Sequence, residues 1–214
     1  MVSSNLTFFL AEGKPTYTDG GVAAEYTWII VVLPFLAALL ITFLGKYLPL
    51  QGAEIALGTI GFIFAFSSYL LYLNVTEGVA SEFFINVGSI GSFDLEFGWV
   101  VDGLSIMMYF VVGTVATLVF IYATNYMKGE VRYTFFFTSL TLFAGSMLVL
   151  VSSPTLLQLL IGWELVGVCS YLLIGHYWEK KENSSAAMKA FITNKIADVG
   201  LMIGIIVLAL STGT

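Results

Sequence analysis

The chain has 214 residues, of which 58% are hydrophobic and 10% charged, with a net charge of −6 and a mean hydropathy of +0.94. Soluble domains carry about 25% charged residues, so this composition belongs to the membrane class. One cysteine (Cys169, inside an apolar run) and eight Lys and Arg residues exclude a disulfide framework and a nucleic-acid surface.

Residues 1–26 read as an outer N-terminal segment; they lack the basic start of a removable secretory signal and hold only the short apolar patch LTFFL. Six apolar segments follow, near 27–45, 53–74, 101–126, 132–151, 155–178 and 186–210. Each is close to the ~20 residues that cross a bilayer as a helix. None shows the alternation of a barrel strand, so helices are the spanning elements. Pro34 lies inside the first segment, where it is placed to kink it, and Pro154 opens the fifth, where its missing N–H is harmless.

The first two spans thus occupy 27–74, an outer loop 75–100, and four further spans 101–214. Within the loop, FFINV (83–87) and FDLEF (93–97) flank GSIGS. Phe93, Leu95 and Phe97 alternate with Asp94 and Glu96, the period of a half-buried strand, which predicts a small β-hairpin on the outer face against the competing reading of an irregular loop. With the N-terminus outside, the inner turns collect Lys46, Lys128, Arg132, Lys180 and Lys181, and the outer segments hold only Lys14. Positive charge marks the inner side. The expected fold is an all-α polytopic membrane protein with six transmembrane helices, its N-terminus outside, and a small outer-face hairpin.

Two segments carry charge at mid-span. TLLQLLIGWELVGVCSYLLIGHYW (155–178) holds Glu164, and AFITNKIADVG (190–200) holds Lys195 and Asp198. At ~1.5 Å per residue, Glu164 lies ~15 Å from the outer end of its span, and Lys195 and Asp198 lie ~13 and ~18 Å from the inner end of theirs. Asp198 and Glu164 therefore share nearly the same depth, with Lys195 within about two turns. Lys195 and Asp198, three apart, share a helical face, and Asn194 adds a neutral polar group to that stripe.

Each charge near the bilayer centre costs roughly 2.5–3.5 kcal/mol on insertion scales, so the three must face protein, water or one another. A carboxylate whose proton occupancy depends on a neighbouring cation is transport chemistry. Blander readings stand beside it: Lys195–Asp198 as a pair holding two helices together, and Glu164 as a structural hydrogen-bonding group. His176, beside Tyr177 and Trp178, reads as an interfacial belt residue rather than a proton relay. Lys189 reads as a snorkelling side chain, Asp102 as a helix cap, Phe135, Phe136 and Phe137 as lipid-facing, and Gly162, Gly167 and Gly175 as close-contact positions.

Taken in order, VDGLSIMMYFVVGTVATLVFIYATNYM, GWELVGVCSYLLIGHYW and AAMKAFITNKIADVG closely resemble the N-terminal part of the chain L (mitochondrial subunit 5) family of respiratory complex I, the proton-translocating NADH:quinone oxidoreductase. The resemblance runs from about Val100 to Leu210, with the first two spans and the hairpin fitting more loosely. It implies that Glu164 is a proton-channel acid, that Lys195 and Asp198 fill a basic–acidic pair of the sixth span, and that Lys189 joins them as a translocation residue. Relatives often have arginine where this chain has Lys195, so a bidentate guanidinium contact is not expected there.

The resemblance also implies an antiporter-like repeat that is incomplete here. Relatives continue through a broken seventh helix with a central lysine and a second, inverted repeat, and these 214 residues alone are not expected to pump. The implied function is that of a membrane-arm subunit of the enzyme, moving protons through coupled buried charges. No redox chemistry or cofactor is expected in this chain, because one cysteine and one histidine are too few to ligate a cluster or haem. The implied partners are other membrane-arm subunits, the lipid bilayer and protons, with no nucleic acid. The implied location is an energy-coupling membrane, bacterial plasma membrane first and mitochondrial inner membrane second. The alternatives are a subunit of an Mrp-type cation/proton antiporter and a non-transporting membrane scaffold.

Overall fold

The structure, a computed structural model, describes residues 18–19, 26–90 and 93–212. Six helices follow in succession: α1 (Trp28–Leu44), α2 (Ala53–Glu77), α3 (Gly103–Tyr126), α4 (Tyr133–Val151), α5 (Leu156–Ile174) and α6 (Lys181–Thr212). All six are long and apolar enough to cross a membrane. Their bounds depart from expectation in three places. α2 runs on to Glu77, into the stretch expected as loop, until Gly78 in the left-handed conformation (φ 65°) ends it with its N–H donated to the Asn74 carbonyl at 3.0 Å. α5 stops at Ile174 rather than 178, because Gly175 to Lys180 form the turn that reverses the chain. α6 starts at Lys181 rather than 186, the polar KENSS stretch continuing the helix beyond the apolar run, with Glu182 in the first turn where the helix dipole favours an acid.

The buried core lies among α1 to α4, with Ile30, Ile41, Ile60, Ile63, Tyr109, Phe120 and Phe137 fully enclosed. Phe137 is therefore a core residue and not lipid-facing. α5 packs on α4, and α6 packs chiefly on α5. At Gly162 an added Cβ would sit 2.8 Å from the Leu150 backbone, so a side chain here would force α5 off α4. Gly175 likewise abuts Ala187, whereas Gly167 meets nothing within 4 Å and is not a contact glycine. Asp102 caps α3 as expected, accepting from the Ser105 N–H at 2.7 Å.

The hairpin is present and longer than the alternation suggested. β2 (Val79–Ile90) pairs antiparallel with β3 (Phe93–Val101), from Ser81↔Val101 to Ile90↔Phe93, with an irregularity between Asn86 and Gly88. Residues 91 and 92, part of the expected GSIGS turn, lie outside the described residues. A two-residue strand, β1 (Thr18–Asp19), adds parallel to the start of β2. It is the described part of the expected N-terminal segment, most of which lies outside the described residues.

Gln158 in the first turn of α5 clasps the hairpin. Its amide accepts from the Gly98 N–H at 2.9 Å and donates to the Gly98 carbonyl at 2.8 Å. The site needs glycine, since a Cβ there would meet the Phe83 carbonyl oxygen at 1.9 Å. The Val100 N–H donates to the Ser152 carbonyl at 3.0 Å, so the sheet is fixed to the α4–α5 turn from which the charged helix departs.

The other end of the bundle carries Lys46, Lys128, Arg132 and Lys180 in its turns and Lys181 at the start of α6. Arg132, itself in the left-handed region (φ 65°), clamps this end. Its guanidinium pairs with both Glu179 carboxylate oxygens, donates to the His176 carbonyl at 2.8 Å and lies 3.7 Å over the Trp178 ring. Glu179 is accordingly pulled down to about 2 by the hydrogen bond from Arg132. His176 is buried at 3% exposure rather than set in an interfacial belt. Its ring contacts Phe135, Phe136 and Tyr177, and neither ring nitrogen has a hydrogen-bond partner. Burial, then the positive charge of Arg132, hold its proton affinity below the usual imidazole value.

Candidate functional site

Glu164 and the Lys195–Asp198 pair come from neighbouring helices and meet. The Lys195 ammonium forms ion pairs with the Glu164 carboxylate on α5 and with Asp198 Oδ2 one turn along α6, the latter at 3.1 Å. Glu164 lies about 15 Å from the basic end of α5, and Lys195 about 21 Å from the start of α6. They still meet because the first turn of α6, polar and absent from the expected span, projects past the end of α5.

The two carboxylates are held differently. Asp198 is only 7% exposed at its side chain, and both its oxygens are engaged: Oδ2 by Lys195 and Oδ1 by the Trp163 indole N–H at 2.7 Å. Glu164 has Lys195 as its partner and keeps 38% of its side chain exposed, while Lys195 keeps 32%. The ammonium also lies 5.2 Å from the Phe191 ring, which in turn packs on Tyr171 at 5.3 Å.

Two acids and one base leave the cluster with one surplus negative charge when all are ionised, and neutral when it holds one proton. It can therefore gain or lose a proton without ever carrying more than one net charge. Lys189 and Asn194 are exposed and stand outside the cluster. Among the described residues no group of three or more His, Cys, Asp or Glu is arranged to hold a metal ion.

Trp163 is the residue that sequence reasoning passed over. Its signal was partial: an indole N–H within an apolar span needs an acceptor, but nothing in the spacing points to Asp198 on the next helix as that acceptor.

Residues 153–214 match the family described as NADH:quinone oxidoreductase/Mrp antiporter, and residues 88–137 match the family described as NADH-ubiquinone oxidoreductase (complex I), chain 5 N-terminus. The chain is 41% identical over 197 residues to NAD(P)H-quinone oxidoreductase chain 5 of Picosynechococcus, covering 89% of this chain and 30% of that one. It is 39% identical over 199 residues to subunit 5 from the organellar chromatophore of Paulinella chromatophora, covering 90% of this chain and 30% of that one. The likeness thus includes the first two spans. The chain spans under a third of the length of these relatives.

A solved structure, that of the membrane-bound sulfane sulfur reductase, an archaeal respiratory membrane complex, superposes with a TM-score of 0.72 at 15% identity, covering 87% of this chain and 37% of that one, a likeness of fold. The fold is that of a multi-pass membrane chain with six apolar helices. Its sequence matches the N-terminal part of the chain 5 family of NAD(P)H-quinone oxidoreductase.

Proposed function

We propose that this chain is the N-terminal part of a proton-translocating membrane-arm subunit of an NAD(P)H-quinone oxidoreductase, in which Glu164, Lys195 and Asp198 carry the proton step at mid-span. The observation that supports it is one ammonium shared by carboxylates from two adjacent helices. Asp198, sealed and bonded at both oxygens, is the fixed anion. Glu164, with a single strong partner and an open flank, is where the proton arrives and leaves. Protonation of Glu164 cancels its hold on Lys195, and the ammonium falls to Asp198; ionisation draws it back. Proton occupancy and the position of a cation are then one coupled variable.

The open flank of Glu164 and Lys195 faces water or further protein, since ionised groups facing lipid would cost several kcal/mol. Lys189, six residues and about 9 Å before Lys195 on α6, is the next basic stop toward the basic end of the bundle. The excess of lysine and arginine sets that end on the inner side and the hairpin outside. Energy comes from quinone reduction elsewhere in the complex, so this chain acts without redox chemistry of its own, in contact with other membrane-arm subunits of an energy-coupling membrane.

The Mrp-type antiporter is the second reading, because the match over 153–214 carries both names. The match over 88–137, described by complex I chain 5, favours the first. The test is Glu164→Gln in the full-length subunit within its complex. Proton pumping into sealed vesicles falls while electron transfer to an artificial acceptor is kept. Pumping at the wild-type level would leave a scaffold with polar helix contacts in place of a translocator.

A further inference from the structure

At the basic end, between the foot of α1 and the start of α4, lies a recess of about 550 Å³ lined by Thr42, Lys46, Gln51, Arg132, Thr134 and Phe135, among others. We propose that this recess binds the phosphate headgroup of an anionic phospholipid. Lys46 stands in the short turn Gly45–Tyr47 that follows α1, and Arg132 immediately before α4, so both cations lie where the apolar spans end. That is the height of a lipid headgroup.

The Lys46 ammonium and the Gln51 amide make no hydrogen bond or ion pair with the described residues, so both can donate to a phosphate oxygen. Two neighbouring acids are already committed: Glu179 is held by Arg132, and Glu54 accepts from the Leu50 and Gly52 N–H groups. Neither of them compensates the positive charge of Lys46.

The occupant is named by what continues from the recess. Below Lys46 the surface of α1 exposes Leu36, Leu39, Leu40 and Phe43, the last at 72%, a hydrocarbon strip running down the helix from the charged mouth. A free anion would use the mouth alone, whereas a diacyl lipid fills both. Basic recesses between transmembrane helices at the inner boundary are suited to anionic headgroups. The threonines contribute shape rather than donors, since the Thr42, Thr134 and Thr138 hydroxyls already donate to backbone carbonyls.

The experiment uses the assembled complex with the full-length subunit, reconstituted with photoactivatable phosphatidylglycerol or photoactivatable phosphatidylcholine, followed by peptide mapping of the cross-links. The expected result is labelling of residues 36–51 and 132–138 by phosphatidylglycerol, severalfold above phosphatidylcholine. Labelling falls severalfold in Lys46→Gln, persists in Lys46→Arg, and is unchanged in Lys180→Gln, a cation of the same end outside the recess. Lys46 is exposed, so these variants leave the packing intact. Equal labelling by both lipids, or wild-type labelling of Lys46→Gln, would overturn the proposal. So would displacement of the label by millimolar inorganic phosphate, which would make the recess a site for the free anion.

Discussion

Replacing Lys195 by methionine removes the one cation of the cluster while keeping the length of the side chain. At 3.1 Å and an effective dielectric constant near 20, the attraction between Lys195 and Asp198 is about 5 kcal/mol before the cost of desolvating both groups. Removing one partner of such a pair, with Asp198 only 7% exposed, typically costs about 3–5 kcal/mol. Two carboxylates left together relieve that cost by binding protons rather than by staying charged. The cluster then keeps its proton instead of passing it on. In the full-length subunit within its complex, proton pumping by Lys195→Met, read from a pH-gradient dye in sealed vesicles, is expected to fall about tenfold or more. Electron transfer to an artificial acceptor stays at the wild-type level, and Lys195→Arg restores most of the pumping. Wild-type pumping by Lys195→Met would refute the coupling of proton and cation.

Trp163→Phe keeps the ring but loses the bond to Asp198 Oδ1; polar bonds within membranes average about 0.6 and reach about 1.7 kcal/mol, so a modest drop in unfolding stability is expected together with a partial loss of pumping. Gly162→Leu destabilises by about 1–3 kcal/mol through overpacking against the Leu150 backbone, while Gly167→Ala, with open space around it, is neutral or stabilises by about 0.5–1 kcal/mol; denaturant titration in detergent separates the two. His176 has its folded-state proton affinity lowered, so the unfolded chain binds the proton first as pH falls below about 6.5, and stability present at neutral pH is lost on acidification. His176→Phe removes that loss, so its unfolding midpoint changes less between pH 7.5 and 5.5 than the wild type's.

The six spans were legible because each is an apolar run of bilayer length, a signal that survives without tertiary context. Their ends were less so. Nothing local distinguishes KENSS as helix from KENSS as loop, and the halt at Ile174 depends on Gly175 abutting Ala187 across the turn. The hairpin core was visible in the alternation of FDLEF, but its extension to Val101 rests on the clasp of Gly98 by Gln158, 60 residues away. Phe137 and His176 were misread for a shared reason. Burial of an aromatic ring in a membrane bundle depends on which neighbour faces it, and an apolar helix carries no polar stripe to reveal its inner side. That the three charges lie within about two turns of one depth followed from spacing, but the pairing of Glu164 with Lys195 also needs the start of α6 to project past the end of α5. The anchoring of Asp198 by Trp163 needed the relative rotation of α5 and α6, which spacing does not encode.

The most direct measurement is the protonation state of Glu164 itself during turnover, followed by infrared difference spectroscopy on the assembled complex. The account predicts a protonated-carboxyl band that rises and decays with each catalytic cycle, disappears in Glu164→Gln, and becomes permanent in Lys195→Met. A Glu164 carboxylate that stays ionised from resting state through turnover would contradict it.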